Sequence, residues 1–464
     1  MKIYLSFLFL FCLNILSYGQ VQRNYAQELF NLMMNGRNFE AREFKTQHRD
    51  QLQQHKNVVE LVYNMHMSLA FNKPDSAIMY FEEFLGNPYH VRGIGPIVSY
   101  YYIRLCELYE DKQQFDKSIS TVQKYINYLK ENPYSLSPDV VKKETIEAQY
   151  KISSLKERLD HEPMRRIVRD SKDNQLNLKD DPHIRFDALY NGHIIETFFD
   201  TGLTAFCSME KDLADEIGVK YKPSKDSIRL INGKPIKAIE GYIDRIELKG
   251  IKLYNIPVLI LMDRFTSHLP KHSNPDYKQR VGDNLLKSKQ VLFGLPAIKM
   301  IGGQFEFDWK SNMLIIHEAK DQKKPIANTL KPNIAFFNNS TYLNLKIHET
   351  DFTGFLDLGS DHYLFLTYPY FFKSNSAYVK NDSQKQPYTR TGFLGVQENI
   401  ERYRVKNPVI YLNNKKVAVN QPQREVFAVA NMNNFDGEVG VGFFKNTFSK
   451  TVIDFNNMTI ECED

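Results

Sequence analysis

The chain has 464 residues, with 60 Lys and Arg against 55 Asp and Glu, a formal charge of +5. At about 150 residues per domain this leaves room for roughly three domains. A 42% hydrophobic content excludes wholesale disorder, a dilute +5 without any Lys/Arg cluster argues against nucleic acid, and four Cys are too few for a disulfide-stapled scaffold.

Met1-Lys2 precedes an apolar run from Ile3 to Leu16, and Ser17-Tyr18-Gly19 places small residues three and one positions before a cut ahead of Gln20. That is the plan of a secretory signal peptide over residues 1–19. The other reading is an uncleaved anchor, but a run of about 14 residues falls short of the roughly 20 that a span needs. Cys12 sits inside the run, which argues against a lipoprotein-type attachment. No later segment is apolar enough to cross a bilayer. The expectation is an exported protein, periplasmic or secreted, with no membrane span once the signal is removed. Cys106, Cys207 and Cys462 remain, an odd number that allows at most one internal bridge. They read as small buried residues.

Residues 20–160 read as a helical domain. Apolar residues recur at three and four, as in Leu61, Met65, Leu69 and Phe81, Phe84, Leu85. The stretch Tyr102, Leu105, Tyr109, Phe115, Ser118, Ile119, Val122, Tyr125 resembles one tetratricopeptide (TPR-like) unit, with looser echoes around Ala41 and Ala77. These small-residue centres are about 36 and 41 residues apart. An irregular bundle of helix pairs fits the same pattern.

Residues 161–181 are charged and aperiodic and read as a linker. From Ile184 the period changes to two, and Asn191-Gly192 supplies a hairpin turn between strand-like runs. The polar stretch Glu318–Lys331, with four Lys and Pro325, divides this β region into units at 182–320 and 332–464.

The two units repeat each other. Asp200 follows Phe186 by 14 residues, and Asp357 follows Leu343 by 14. Gly294 precedes Asp308 by 14, and Gly440 precedes Asp454 by 14. Asp308 and Asp454 each open a turn into a closing strand and read as turn residues. Phe198-Phe199-Asp200-Thr201-Gly202 and Phe355-Leu356-Asp357-Leu358-Gly359 then stand at the same place in both copies.

Here the sequence resembles the aspartic protease clan, whose lobes each carry two apolar residues before Asp-Thr-Gly and a later hydrophobic–Gly turn. The resemblance covers about 184–461 and is strongest at the two Asp triplets. It implies a multidomain α + all-β protein, a helical-repeat-like domain followed by a bilobed, aspartic-protease-type β-barrel pair with short, retropepsin-sized lobes. It implies Asp200 and Asp357 as a catalytic pair. Gly202 and Gly359 would let the two loops approach, and Thr201 would hydrogen-bond across the interface. Two departures stand out: Leu358 has no hydroxyl, and Leu203 follows Gly202 where Ser or Ala is usual, although an ordinary Ser360 follows Gly359. Flap hairpins have candidates at Asn232-Gly233 and at Gly392 to Gly395.

Two carboxyls held together cannot both ionise, so the pair shares one proton and can activate a water between them. Such chemistry needs neither cofactor nor metal, in keeping with the absence of zinc-type Cys/His spacing. The sequence therefore predicts an aspartic endopeptidase acting on peptide or protein substrates, with the helical domain available to a protein partner. The alternative is a weak or inactive protease-like protein that binds peptides through the same surfaces. A third possibility is that the two Asp loops never meet.

Overall fold

The computed structural model describes residues 24–53, 56–93, 97–132, 136–170, 174–221, 227–229, 235–262, 289–318, 331–374, 385–391, 397–405, 408–417, 426–429 and 435–464. The proposed signal peptide lies outside the described residues. Helices occupy the N-terminal part, and β-sheets that close or nearly close into barrels occupy the rest.

Six helices form three successive pairs: Tyr25–Met34 with Asn38–Gln47, Lys56–Ala70 with Pro74–Gly86, and Val98–Asp111 with Phe115–Glu131. The short helix Pro88–Gly93 intervenes before the third pair, and the long helix Pro138–His161 follows it. Each pair turns on one residue with positive φ, at Gly36 (+72°), Asn72 (+53°) and Gln113 (+54°). The next amide reaches back in the same way each time: Arg37 N to Leu32 O, Lys73 N to Ser68 O and Gln114 N to Tyr109 O. A left-handed residue here satisfies carbonyls that the helix end leaves without partners. Four residues after each of those amides come Ala41, Ala77 and Ser118, all completely buried, where only a small side chain lets the paired helices touch. The inserted helix Pro88–Gly93 accounts for the longer second interval. Among the described residues no helix is long and apolar enough to cross a membrane.

In the first β unit, strands Arg185–Tyr190, His193–Asp200, Gln290–Gly294, Cys207–Glu210, Ile251–Leu261 and Pro235–Leu248 follow one another by hydrogen bonding, and the last returns to pair with Arg185–Tyr190. The sheet thus closes on itself, which removes edges. The second unit repeats the path through Ser340–Ile347, Thr350–Asp357, Gly437–Gly440, Leu364–Thr367, Val426–Val429 and Gln397–Arg404, with Ile410–Leu412 pairing back onto Ser340–Ile347. Where the first unit has one long hairpin, Pro235–Leu248 with Ile251–Leu261, the second has two shorter ladders, Gln397–Arg404 with Val426–Val429 and, between them in the chain, the hairpin Ile410–Leu412 with Lys415–Val417.

The 161–181 segment is not a linker. Arg166–Arg169 pairs antiparallel with Ile251–Tyr254, and Gln175–Asn177 pairs with Met313–Ile315. Strands of three and four residues are too short for a period of two to register. Only Leu176 is buried, so the two strands leave little apolar pattern to read.

Between the units runs a five-stranded antiparallel sheet in the order Gln175–Asn177, Met313–His317, Gln304–Asp308, Lys450–Asp454, Thr459–Glu463. Each unit contributes its closing hairpin, and Gln304 to Asp308 pair directly with Asp454 to Lys450. Asp308 and Asp454 are indeed turn residues. Asp308 Oδ1 accepts from the amides of Lys310 and Ser311, and Asp454 Oδ1 from those of Asn456 and Asn457. Phe199, Phe305, Phe307 and Phe455 are buried together, joining the first active-loop strand to this sheet through ring contacts at 5.7–6.0 Å. Cys106, Cys207 and Cys462 are free thiols.

Trp309 stacks on Phe307 at 5.0 Å and donates from Nε1 across the junction to Thr451 Oγ1 at 3.0 Å. Trp309→Phe keeps the ring contact and leaves that hydroxyl only its 3.7 Å contact with Cys462 Sγ. It is expected to cost about 1–3 kcal/mol, the range for a buried polar group losing its partner, read by chemical denaturation.

Candidate active site

Both Asp loops follow one local rule. His193–Asp200 runs parallel to Gln290–Gly294, which sets Gly294 beside Asp200, and Thr350–Asp357 runs parallel to Gly437–Gly440, which sets Gly440 beside Asp357. The chain then reverses, with Leu203 N donating to Asp200 O at 3.4 Å and Ser360 N to Asp357 O at 3.2 Å. The returning loop crosses directly over the neighbouring glycine. A Cβ on Gly294 would stand 2.0 Å from Ala205 O, and one on Gly440 would stand 2.2 Å from His362 O. Only glycine fits under a backbone at that distance.

Gly202 and Gly359 serve the approach of the two loops. Gly202 N donates to Asp200 Oδ1 at 2.7 Å, and Gly359 N to Asp357 Oδ1 at 3.0 Å. A Cβ on Gly202 would lie 2.7 Å from Asp357 Oδ1, and one on Gly359 would lie 2.5 Å from Asp200 Oδ1. Each missing side chain is space used by the carboxyl of the opposite unit. The carboxyls of Asp200 and Asp357, 157 residues apart, thus come together, with Oδ1 of each within 3.1 Å of the place a Gly202 Cβ would take. The possibility that the loops never meet is therefore excluded.

Burial pushes the Asp200 carboxyl well above the usual carboxylate range, and the charge of Asp357 pushes it further. The amides of Gly202 and Leu203 pull the other way without reversing the shift. Burial and the neighbouring acid thus favour one proton held within the pair.

Thr201 is buried and makes the expected bridge. Its Oγ1 donates to Leu356 O at 2.8 Å and accepts from Leu358 N at 2.9 Å, both on the opposite loop. Leu358 cannot return the bridge. It is buried instead with Ile184, Phe307, Trp309, Phe444, Thr451 and Ile453 around one apolar space at the base of the junction. Half of the polar latch is replaced by packing.

The sequence reading stopped at Ser360 and missed what lies behind it. Ser360 Oγ contacts His362 Nδ1 at 2.5 Å, and His362 Nε2 lies 3.6 Å from Oε1 of the buried Glu438. In register, the first unit has Leu203, Ala205 and Leu292 at these positions. Aligning the two copies residue by residue would have exposed this contrast of polar against apolar.

The flap candidates Asn232, Gly233, Gly392 and Gly395 lie outside the described residues. They fall between strands that pair antiparallel on either side, Arg229 with Pro235 and Thr391 with Gln397. Among the described residues no group of His, Cys, Asp and Glu could hold a metal ion.

Residues 186–269 match the family model described as "gag-polyprotein putative aspartyl protease". That stretch contains Asp200-Thr201-Gly202, and the match supports a retropepsin-like aspartic protease. Among solved structures, the chain is similar to a retropepsin-like aspartic protease from Rickettsia conorii, at 18% identity over 33% of this chain and 92% of that one, with a TM-score of 0.21. A search of the curated proteins gives no match.

Leu358→Ala empties an enclosed apolar site and is expected to cost about 2–5 kcal/mol, read by denaturant titration. Asp200→Asn acts with the opposite sign. A carboxyl whose pKa is raised by folding keeps its proton while the unfolded chain releases it, so its contribution to stability falls as pH rises above about 4. The Asn variant is therefore expected to melt higher than the parent at pH 7, with the gap closing towards pH 4.

Proposed function

We propose that the chain is an exported aspartic endopeptidase in which two retropepsin-like lobes, built by the two β units, act on a peptide bond lying between them. One observation carries this reading: two half-buried acids at equivalent positions of two units are brought together, each carboxyl filling the space beside the other loop's glycine. Keeping two ionisable groups so close is costly unless their shared proton is used.

The chemistry follows from the asymmetry of the pair. The ionised carboxyl of the pair draws a proton from a water lying between the two as that water attacks the scissile carbonyl. The protonated one donates to the carbonyl oxygen as it gains charge. Collapse of the tetrahedral species breaks the C–N bond: the proton taken from water goes to the leaving amine, and the carboxyl that gave up its proton takes one back from the hydroxyl that becomes the product's carbonyl, so the pair again shares one proton. Gly202 N–H and Gly359 N–H fix the carboxyl planes, and Thr201 fixes the spacing of the loops. In this reading Asn232-Gly233 and the Gly392 to Gly395 turn close over the substrate as hairpin flaps. The helical domain docks the substrate or a protein partner, and residues 1–19 direct export.

A second reading is favoured by Leu358. With an apolar residue in place of a hydroxyl, the protein binds peptides between its lobes and turns them over slowly or not at all. The two readings separate on one experiment. The chain from Gln20 onward is incubated with a mixed peptide library between pH 4 and 7.5, beside Asp200→Asn and Asp357→Asn. The enzyme reading predicts cleavage that either substitution lowers by about 10²–10⁴-fold, the range for losing an acid or base. Cleavage that survives both substitutions would contradict it. Peptide binding without cleavage by the parent chain would favour the binder.

A further inference from the structure

The two β units match in register, yet they obtain one of their charges from different places. Gln290 stands four residues before Gly294, and Asp436 stands four before Gly440. Each faces the strand that ends in its active-loop Asp. Gln290 pairs with Glu196, while Asp436 N donates to Thr353 O at 3.1 Å and Asp436 Oδ2 accepts from Thr353 N at 2.8 Å. Asp436 O also accepts from Thr367 N at 2.8 Å, so this residue ties three strands of the second unit together.

In the first unit a guanidinium covers this place. Arg185 is completely buried, donates to Gln290 Oε1 at 2.5 Å and to Glu196 Oε1 at 2.9 Å, and lies 4.7 Å from the Phe198 ring. The residue in register with Arg185 is Tyr342, which precedes Leu343 as Arg185 precedes Phe186. Tyr342 brings no charge, and its ring stacks on Phe435 at 3.7 Å. The guanidinium arrives from outside the unit. Arg37 of the helical domain donates from Nη1 and Nη2 to Asp436 Oδ2 and Oδ1 at 2.7 and 2.9 Å, with its Cζ 5.9 Å from the Phe435 ring. Nη1 also meets Glu40 at 3.3 Å.

The helical domain is shaped to deliver it. Gly36 has φ +72°, and a Cβ there would stand 2.6 Å from the Phe337 ring of the second unit. The equivalent turns of the other two helix pairs also dock through polar side chains. Asn72 donates to Phe455 O at 2.8 Å, and Gln113 donates to Pro163 O at 3.1 Å and accepts from Arg165 N at 2.7 Å.

We propose that Arg37 is a positioning residue for the Asp357 loop, supplying to the second β unit the guanidinium that the first unit takes from its own Arg185. The helical domain is then part of the active machinery as well as a surface for partners. The step to activity rests on reading Asp357 as half of a catalytic pair, whereas the step to loop order does not.

Amide hydrogen exchange on the full chain tests loop order. Arg37→Met leaves the Asp436 carboxylate without its guanidinium. It is expected to speed exchange over residues 353–360 by about tenfold or more while residues 196–203 change by less than about twofold. Adding Asp436→Asn, which removes the stranded charge and keeps an acceptor for Thr353 N–H, is expected to return residues 353–360 to near the parent rate. In peptide cleavage, Arg37→Met should lower kcat with KM nearly unchanged, and the double variant should recover it. The proposal is overturned by unchanged exchange at 353–360, by equal loosening of both loops, by a double variant that fails to recover, or by a loss carried in KM alone. If the parent cleaves nothing, the peptidase reading fails by itself and the exchange comparison still decides the role of Arg37.

Discussion

The structure depends on one unfavourable contact that is made to hold: the meeting of the Asp200 and Asp357 carboxyls. Two half-buried acids held this close repel unless they share a proton. Something else must therefore supply the adhesion between the loops that carry them. The five-stranded sheet does so at the base of the junction, where Gln304 to Asp308 pair with Asp454 to Lys450. Thr201 does so next to the acids, with two hydrogen bonds across the gap. Leu358 completes the junction by filling an apolar site where a second hydroxyl latch would have stood.

Around this contact the two units share a backbone and differ in side chains. The glycines at 202, 294, 359 and 440 are needed in both copies, because a Cβ at any of them would collide with a carboxyl oxygen or a crossing carbonyl. Elsewhere the copies diverge. Behind Asp357 lies the polar set Ser360, His362 and Glu438, and behind Asp200 lie Leu203, Ala205 and Leu292. The guanidinium that meets the fourth residue before each glycine is internal to the first unit and is provided to the second by the helical domain. Duplicated units that have taken on unequal surroundings are suited to holding two identical acids in unequal states.

What could be read from the sequence is what the backbone demands locally. The duplicated spacing of Asp and Gly was visible because turn geometry tolerates few residue types. It led directly to the meeting of Asp200 and Asp357. Likewise Ala41, Ala77 and Ser118 marked the helix pairs, because small residues are required where the helices touch. The strands Arg166–Arg169 and Gln175–Asn177 escaped notice because neighbours far along the chain, at 251–254 and 313–315, create them. The pairing of Arg37 with Asp436, 399 residues apart, leaves no local mark. The consequence of Leu358 was equally hidden: the sequence showed a lost hydroxyl, and only the fold shows the apolar site that received it.

The central claim is that the two carboxyls form one coupled pair that shares a proton. Titrating Asp carboxyl carbon resonances by NMR, in the parent chain and in Asp357→Asn, tests it most directly. The account predicts that Asp200 titrates well above the usual carboxylate range in the parent. Its pKa should fall when Asp357 loses its charge, while burial still holds it above about 4. An Asp200 that titrates near about 4 in both proteins, or that is indifferent to Asp357, would contradict the account.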